Sequence, residues 1–299
     1  MKFNHITVAG SGVLGSQIAF QTAYKGYPVS VYDINDEALE KAKDRIREWM
    51  PYYKEDLGAT DEQLDEAFNR MSFHSDLAEA VKDADLVIEA VPERTDIKTD
   101  FYEKLARVAP EKTIFASNSS TLLPSQFAEV TGRPEKYLHL HFANEIWKNN
   151  TAEVMGHPGT DRQVFNDVVE FAKSIGMVAL PLKKEQPGYI LNSLLVPFLN
   201  AAQALLANDV ADAETIDKTW MLATGAPNGP FAILDIVGLT TAYNIIQAKA
   251  QATHDPDAQR IADMLQNEYI DKGKLGRASG EGFYKYPDPA FRDPGFLKS

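Results

Sequence analysis

The chain has 299 residues, a formal net charge of -13 and no cysteine. The missing cysteine excludes disulfides, thiolate catalysis and cysteine metal sites, and the acidic balance argues against a nucleic-acid binder, which needs a basic face. A hydrophobic fraction of 44% with 24% charged residues is that of a soluble globular protein, with room for one large or two ordinary domains. The start, MKFNHITVAGSG, leads straight into a strand and a glycine turn. It has no charged-then-apolar leader, and no apolar run reaches bilayer length. A cytoplasmic protein with no membrane partner and no metal is therefore expected. An anionic ligand would have to be held by local donors, because the overall field opposes it.

His5 to Ala9 reads as a β-rich run. It enters Gly10-Ser11-Gly12-Val13-Leu14-Gly15, and Ser16 to Phe20 then reads as a helix. In this strand, G-x-G-x-x-G, helix order Gly10 allows the tight turn. Gly12 lets a pyrophosphate approach the backbone, and Gly15 lets helix and strand pack closely. The helix start offers free N–H groups and a positive dipole end, so Gly10, Gly12, Val13, Leu14 and Gly15 are candidate phosphate contacts. The second strand, Val29 to Tyr32, ends in Asp33, roughly 20 residues on, where an acidic residue takes the ribose 2′-hydroxyl and repels a 2′-phosphate. NAD (NADH) is thus the expected cofactor, with a structural glycine turn as the plainer alternative.

From Asp36 to Phe68 the chain is charged and helical in pattern, with breaks expected near Pro51 and at Leu57-Gly58. This predicts a helical hairpin inserted after the second strand. Its Lys41, Lys43, Arg45, Arg47 and Lys54 are either anion contacts or a solvated face. Short strands and helices then alternate: Met71 to His74, Leu77 to Lys82, Asp85 to Ala90, Phe101 to Val108 and Thr113 to Ala116. Such alternation means a parallel sheet, whose ligands bind beyond the strand C-termini. Glu93, Ser120 and His141 all fall just after such ends.

Tyr137 to Phe142 alternates as a strand, a polar turn begins at Ala143-Asn144, and Thr151 to Met155 resumes the strand pattern. A hairpin-like return of this kind sets Glu153 beside His141. A carboxylate that fixes an imidazole tautomer suits proton transfer, and the same pair reads equally as a structural ion pair. His139, one strand pitch from His141 on the same face, reads as packing. Val164 to Ile175 is predicted helical and Met177 to Pro181 a strand. Beyond the polar break at Lys183 to Gly188, β-rich runs disappear. Tyr189 to Ala207, Ala213 to Thr224, Leu239 to Thr253 and Asp257 to Lys272 are predicted helices. The expected fold is α/β: a Rossmann-like, mostly parallel sheet domain over 1–185 with an inserted hairpin at about 36–68, then an all-helical C-terminal domain over 186–299. The apolar residues Leu194, Leu195, Val196, Phe198 and Leu199 suit either a bundle core or a buried homodimer interface.

Taken in order, GSGVLG, Asp33, VIEAVPE, IFASNSST, LHFAN with Glu153, PGYILNSLLVP, GAPNGPFAILDIVGL and GEGFYKY resemble the NAD-dependent L-3-hydroxyacyl-CoA dehydrogenase family (3-hydroxybutyryl-CoA dehydrogenases among them). Stretches such as HFANEIWKNNTAEVM and IDKTW resemble its diketoreductase branch, which reduces β,δ-diketo esters with NADH. The resemblance implies a Rossmann-like domain with a helical dimerising domain. It also implies a small-molecule β-keto or 3-hydroxyacyl substrate, as CoA thioester or ester. It makes His141 the acid/base residue and Glu153 its orienting carboxylate. Ser120 and Asn192 become donors to the substrate oxygen, with Ser120 near the nicotinamide. Glu93 and Lys98 become contacts of the nicotinamide-side ribose, and Asn144 a neighbour of the nicotinamide.

The departures from the family pattern bear on CoA. Glu145 and Trp147 replace two prolines, Lys148-Asn149-Asn150-Thr151 replace an apolar segment, and Ala278 replaces a commonly ligand-facing lysine. Trp49 stands at an often small, polar position of the hairpin, where the family places CoA contacts. Trp147 lines a pocket for a hydrophobic substrate without CoA or is a packing tryptophan. A dehydrogenase of a small polar 3-hydroxy acid, with Lys148 as the cation for its carboxylate, and a non-catalytic NAD-binding protein are the other readings.

Overall fold

The structure, a computed structural model, describes residues 3–298. The chain divides into two compact units, Met1–Leu191 and Asn192–Ser299.

The first unit is built on one sheet in the order β3-β2-β1-β4-β5-β6-β7-β8. Its strands are β1 (Ile6–Ala9), β2 (Val29–Tyr32), β3 (Met71–His74), β4 (Leu86–Glu89), β5 (Ile114–Ser117), β6 (Tyr137–Phe142), β7 (Thr151–Gly156) and β8 (Val178–Pro181). Every neighbouring pair is parallel except β6 with β7. Side chains alternate across the sheet. Val8, Val31, Ile88, Leu138 and Leu140 enter a core with α1 (Val13–Tyr24), the inserted hairpin and α6 (Arg162–Ser174). Ala9, Val87, Phe115 and Tyr137 face the opposite way, onto α4 (Leu77–Val81) and α5 (Thr95–Val108). Helices thus cover both faces, which is the doubly wound arrangement.

The inserted hairpin is α2 (Asp36–Leu57) and α3 (Asp61–Asn69). Asn35 caps α2 by accepting from Ala38 N–H, and Gly58 ends it at φ 67. The break expected near Pro51 does not occur, for α2 runs through it. The proline costs one main-chain hydrogen bond, but aromatic packing on either side holds the helix. Trp49, Tyr52 and Tyr53 each meet the Trp147 ring, with centroids at 6.3, 6.1 and 5.3 Å. Trp147 is buried, and its indole N–H donates to Asp56 at 2.9 Å. Trp147 is therefore a packing tryptophan that fastens the β6–β7 turn to the hairpin. Lys148, in the same turn, lies 3.9 Å from Asp56 of α2, so its charge is already faced by a carboxylate. Lys41, Lys43 and Arg47 pair with acidic neighbours three or four residues back on α2, and Lys54 pairs with Asp61. These are solvated pairs. Arg45 differs, donating to the carbonyl of Ser11 in the glycine turn.

The second unit is helical. It holds α7 (Leu191–Ala207, whose first residue closes the first unit), α8 (Ala213–Thr224), α9 (Pro230–Val237), α10 (Leu239–Thr253) and α11 (Pro256–Glu268). Helix α9 has no counterpart among the helices expected from the sequence. Pro230 is its first helical residue, a position where a proline loses nothing. Its free N–H groups are met from outside the helix: Asp217 accepts from Phe231 N–H at 2.8 Å and Ala232 N–H at 3.0 Å, and from the Tyr284 hydroxyl. Asp235 does the same for Phe283 N–H and Tyr284 N–H. Burial raises both carboxyls. Among the described residues no single helix is long and apolar enough to cross a membrane, and α9 and α10 satisfy the length and composition only as a pair bent by 99°.

Replacing a buried tryptophan by alanine costs about 3–5 kcal/mol, so Trp147→Ala should lower the urea-unfolding free energy by an amount in that range. Loss of activity with unchanged unfolding would instead make the indole a pocket residue.

Candidate active site

Strand β1 ends at Ala9, and Gly10 turns the chain at φ 100. A Cβ on Gly10 would overlap the Ala90 carbonyl, and one on Gly15 would overlap Gly10 itself. Gly12 is different, since a Cβ there meets nothing within 4 Å. The main chain at Gly12 is thus open, which suits the approach of a phosphate. Gly12 is also the cap residue of α1, with no side chain over the helix end and no acid in the first turn. The N–H groups at Val13 and Leu14 remain for an anion. Asp33 closes this turn, accepting from Ser11 N–H at 2.7 Å and the Ser11 hydroxyl at 2.6 Å, while its other oxygen accepts from Ile34 N–H. The open cradle, the free donors and the carboxylate at the end of β2 fit the dinucleotide expected from the sequence.

Beyond β4 and β5 the chain builds the next wall. Glu93 accepts at one oxygen from the Ser119 hydroxyl (2.6 Å), Ser120 N–H (2.9 Å), Thr121 N–H (3.0 Å) and the Thr121 hydroxyl (3.0 Å). Lys98 lies 3.3 Å from its second oxygen. Burial by itself would raise the Glu93 carboxyl, but the Ser119 hydroxyl, the Lys98 ammonium and the Thr121 donors hold it down at about 2. Helix α5 begins at Thr95, earlier than its apolar pattern shows, and so carries Lys98 inward. There Lys98 is 1% exposed and donates to Glu89 at 2.6 Å. The structure thus places Lys98 beneath Glu93, as its counter-charge. Asn144 lies in the turn after β6, and its carbonyl accepts from the Asn149 side chain.

His141 is inside β6, as its penultimate residue, and not beyond its end. In the antiparallel register of β6 and β7, His141 stands opposite Glu153. Its Nδ1 is 3.1 Å from a Glu153 oxygen and its Nε2 is 3.2 Å from the Ser120 hydroxyl. Both side chains are buried. The second Glu153 oxygen accepts from Ile190 N–H at 2.9 Å and Leu191 N–H at 3.1 Å. Burial raises this carboxyl, but the His141 hydrogen bond and those two N–H groups outweigh it, so Glu153 sits below the usual carboxylate range. It is therefore ionised at neutral pH and able to hold a proton on Nδ1. An imidazole so held presents its Nε2, beside a serine hydroxyl, to a reacting oxygen. Asn192, the second residue of α7, belongs to the second unit.

Comparison with known proteins gives the same picture from another direction. Residues 5–186 match the family model for the NAD-binding domain of 3-hydroxyacyl-CoA dehydrogenase, and residues 188–286 match the model for its C-terminal domain. The chain belongs to the 3-hydroxyacyl-CoA dehydrogenase family. It is similar to the mitochondrial hydroxyacyl-coenzyme A dehydrogenase of Homo sapiens, at 35% identity over 94% of this chain and 91% of that one. It is also similar to a probable 3-hydroxybutyryl-CoA dehydrogenase of Bacillus subtilis, at 34% identity over 96% and 99%. Among solved structures it is similar to a diketoreductase described for substrate-directed dual catalysis of dicarbonyl compounds, with 57% identity, a TM-score of 0.91, and 96% and 100% of the two chains covered. This family member is an NAD-dependent oxidoreductase of the 3-hydroxyacyl type.

Three residues near His141 escaped the sequence reading. Asn118 accepts from Phe142 N–H at 3.0 Å and so ties the end of β5 to that of β6. Gln17 reaches from α1 to accept from Glu145 N–H and Ile146 N–H, seating the turn after β6. Tyr189 is fully buried, its ring stacked on the imidazole. No periodicity points to any of them. For Tyr189 the one local signal is its place after Pro187-Gly188, at a chain reversal.

A carboxyl depressed in the folded state contributes stability that is complete above its unfolded pKa and is lost as pH falls through the folded value. For Glu93 that window runs from the ordinary 4.5 down to about 2. Glu93→Gln should therefore be less stable than the parent above the window, and the gap should close as the pH is lowered through it. Urea unfolding at a series of pH values checks this. A gap that stays constant with pH would mean that Glu93 acts without its charge.

Proposed function

We propose that this enzyme reduces the β-carbonyl of a free β-keto or β,δ-diketo ester, and reverses that reaction, with His141 and Glu153 as the proton-transfer pair. The observation that carries the reading is the two-sided placement of the imidazole, Nδ1 on a carboxylate at 3.1 Å and Nε2 beside a serine hydroxyl at 3.2 Å. Bound NADH supplies the hydride. His141, charged and paired with Glu153, gives its Nε2 proton to the carbonyl oxygen, and the Ser120 hydroxyl donates to the same oxygen as charge develops on it. In the oxidising direction neutral His141 takes the proton back. Asn192 is assigned to that oxygen on its motif alone. Gly10, Gly12, Val13, Leu14, Gly15 and Asp33 hold the dinucleotide, and Glu93 and Asn144 stand on its nicotinamide side. Lys98 acts through Glu93.

The similarity to a diketoreductase supports a substrate without CoA. So does the hairpin, where Trp49 joins Trp147 in a closed aromatic cluster. A small polar 3-hydroxy acid is less well served, because Asp56 faces Lys148. The proposed working form is a cytoplasmic homodimer joined through the second unit, whose Leu194, Val210 and Leu222 are 69%, 65% and 62% exposed. Exposed apolar side chains on the second unit support this reading.

Initial rates of NADH oxidation with acetoacetyl-CoA and with ethyl 3-oxobutanoate test the substrate class. Preference for the ester is expected, and strong preference for the thioester would place the protein with ordinary hydroxyacyl-CoA dehydrogenases. General acid–base catalysis contributes about 10²–10⁴-fold, so His141→Ala should lose activity on that scale with either substrate. Glu153→Gln should lower turnover while leaving KM nearly unchanged. Asp33→Ala should weaken NADH binding about tenfold, the worth of one or two ribose hydrogen bonds. Unaltered fluorescence titration of that variant would remove the ribose assignment.

A further inference from the structure

Tyr189 is held in an unusual way. It is a non-glycine residue at φ 55, in the left-handed region that a bulky side chain enters at a cost. Its ring lies on the His141 imidazole with centroids 4.5 Å apart and planes 17° from parallel. Its hydroxyl donates to the Ser119 carbonyl at 2.6 Å and lies 3.0 Å from His139 Nδ1. His139 Nε2 is in turn 3.2 Å from the Tyr137 hydroxyl, which donates to Tyr102, which donates to Glu89. Every side chain in this line is buried. Burial, with the Lys98 charge nearby, pushes His139 down to about 3, so it stays neutral, and its single ring N–H serves one of the two tyrosine hydroxyls beside it.

Two independent supports therefore converge on the Tyr189 ring. The backbone conformation aims it, and the hydrogen bond from its hydroxyl to the Ser119 carbonyl pins its far end. The ring touches His141 itself, and its hydroxyl touches the residue next to Ser120. Glu153 restrains the imidazole only along one edge, at Nδ1. Rotation about that hydrogen bond would swing Nε2 away from Ser120 unless the flat face were also held. We propose that Tyr189 is a positioning residue that sets the plane of the His141 imidazole. This rests on His141 being the acid/base residue. A misplacement of about 1 Å at a reacting group can cost on the order of a hundredfold in rate, so the stack has consequences for turnover and little for substrate affinity.

The test compares Tyr189→Phe, which keeps the ring, with Tyr189→Leu, which removes it, and with His141→Asn. The first readout is the carbon-bound ring proton of His141 in a proton–carbon correlation spectrum, assigned by its loss in His141→Asn. In the parent it should be moved upfield by the tyrosine ring current. It should stay so in the phenylalanine variant and move back downfield in the leucine variant. The second readout is kcat and KM for NADH-dependent reduction of ethyl 3-oxobutanoate or acetoacetyl-CoA, whichever the parent reduces. The leucine variant should lose about tenfold or more in kcat at nearly unchanged KM, and the phenylalanine variant should keep kcat within about threefold. Full kcat in the leucine variant, or an equal loss in both variants, overturns the proposal. Should the leucine variant fail to fold, a parent spectrum without the upfield shift overturns it as well. Activity surviving in His141→Asn would instead overturn the acid/base assignment, a separate result.

Discussion

The antiparallel pairing of β6 with β7 is the constraint on which the site depends. Side chains on a strand alternate with a period of two, so a slip of one residue would send Glu153 to the opposite face from His141. The register is held by the apolar set on the other face: Leu138, Leu140 and Phe142 from β6 with Ala152 and Val154 from β7 all enter the main core. Hydrophobic packing on one side of the sheet thereby fixes a polar pair on the other. The pair needs little energy of its own to stay aligned.

Around that pair the molecule meets its carboxylates with several hydrogen-bond donors each. Glu153 takes two N–H groups from the segment before α7, and Glu93 takes two N–H groups and two hydroxyls from the loop after β5. Glu89, fully buried, is met by Lys98, Tyr102, Ser117 and the Val91 N–H. A buried carboxylate without such partners would be protonated or would unfold its surroundings. Because the donors come from loops that would otherwise be free, the same hydrogen bonds that pay for burial also order the loops carrying Ser120 and the approach to α7.

The inserted hairpin shows how the first unit takes up a bulky turn after β6. The turn after β6 is seated by Gln17 and drops Trp147 into the aromatic face of α2. A proline inside α2 is tolerated because that packing outweighs one missing hydrogen bond. Trp147 thus fastens the turn to α2, and Arg45 links the same helix to the glycine turn. Hairpin, glycine turn and β6 form one packed body in the first unit.

Much of this was legible in the sequence. The strand, glycine turn and helix order, the aspartate ending β2, and the alternation of strands with helices are local patterns, and each has a physical cause that acts over a few residues. The His141 and Glu153 pairing was legible too, since two alternating runs joined by a polar turn have a natural register. Helix α9 was not, because its N–H groups are met by Asp217 from another helix, and the inward turn of Lys98 was not, because it follows from where α5 starts. Pro51 was misread as a break because its compensation comes from Trp147, nearly a hundred residues on. The place of Tyr189 has the same origin. The sequence by itself determined the sheet, the glycine turn and the facing of His141 and Glu153, because those depend on periodicity and on residue type. Only the tertiary structure decided which charges are buried against which donors and which ring lies on the imidazole, because burial and stacking are set by segments that meet only once the chain has folded.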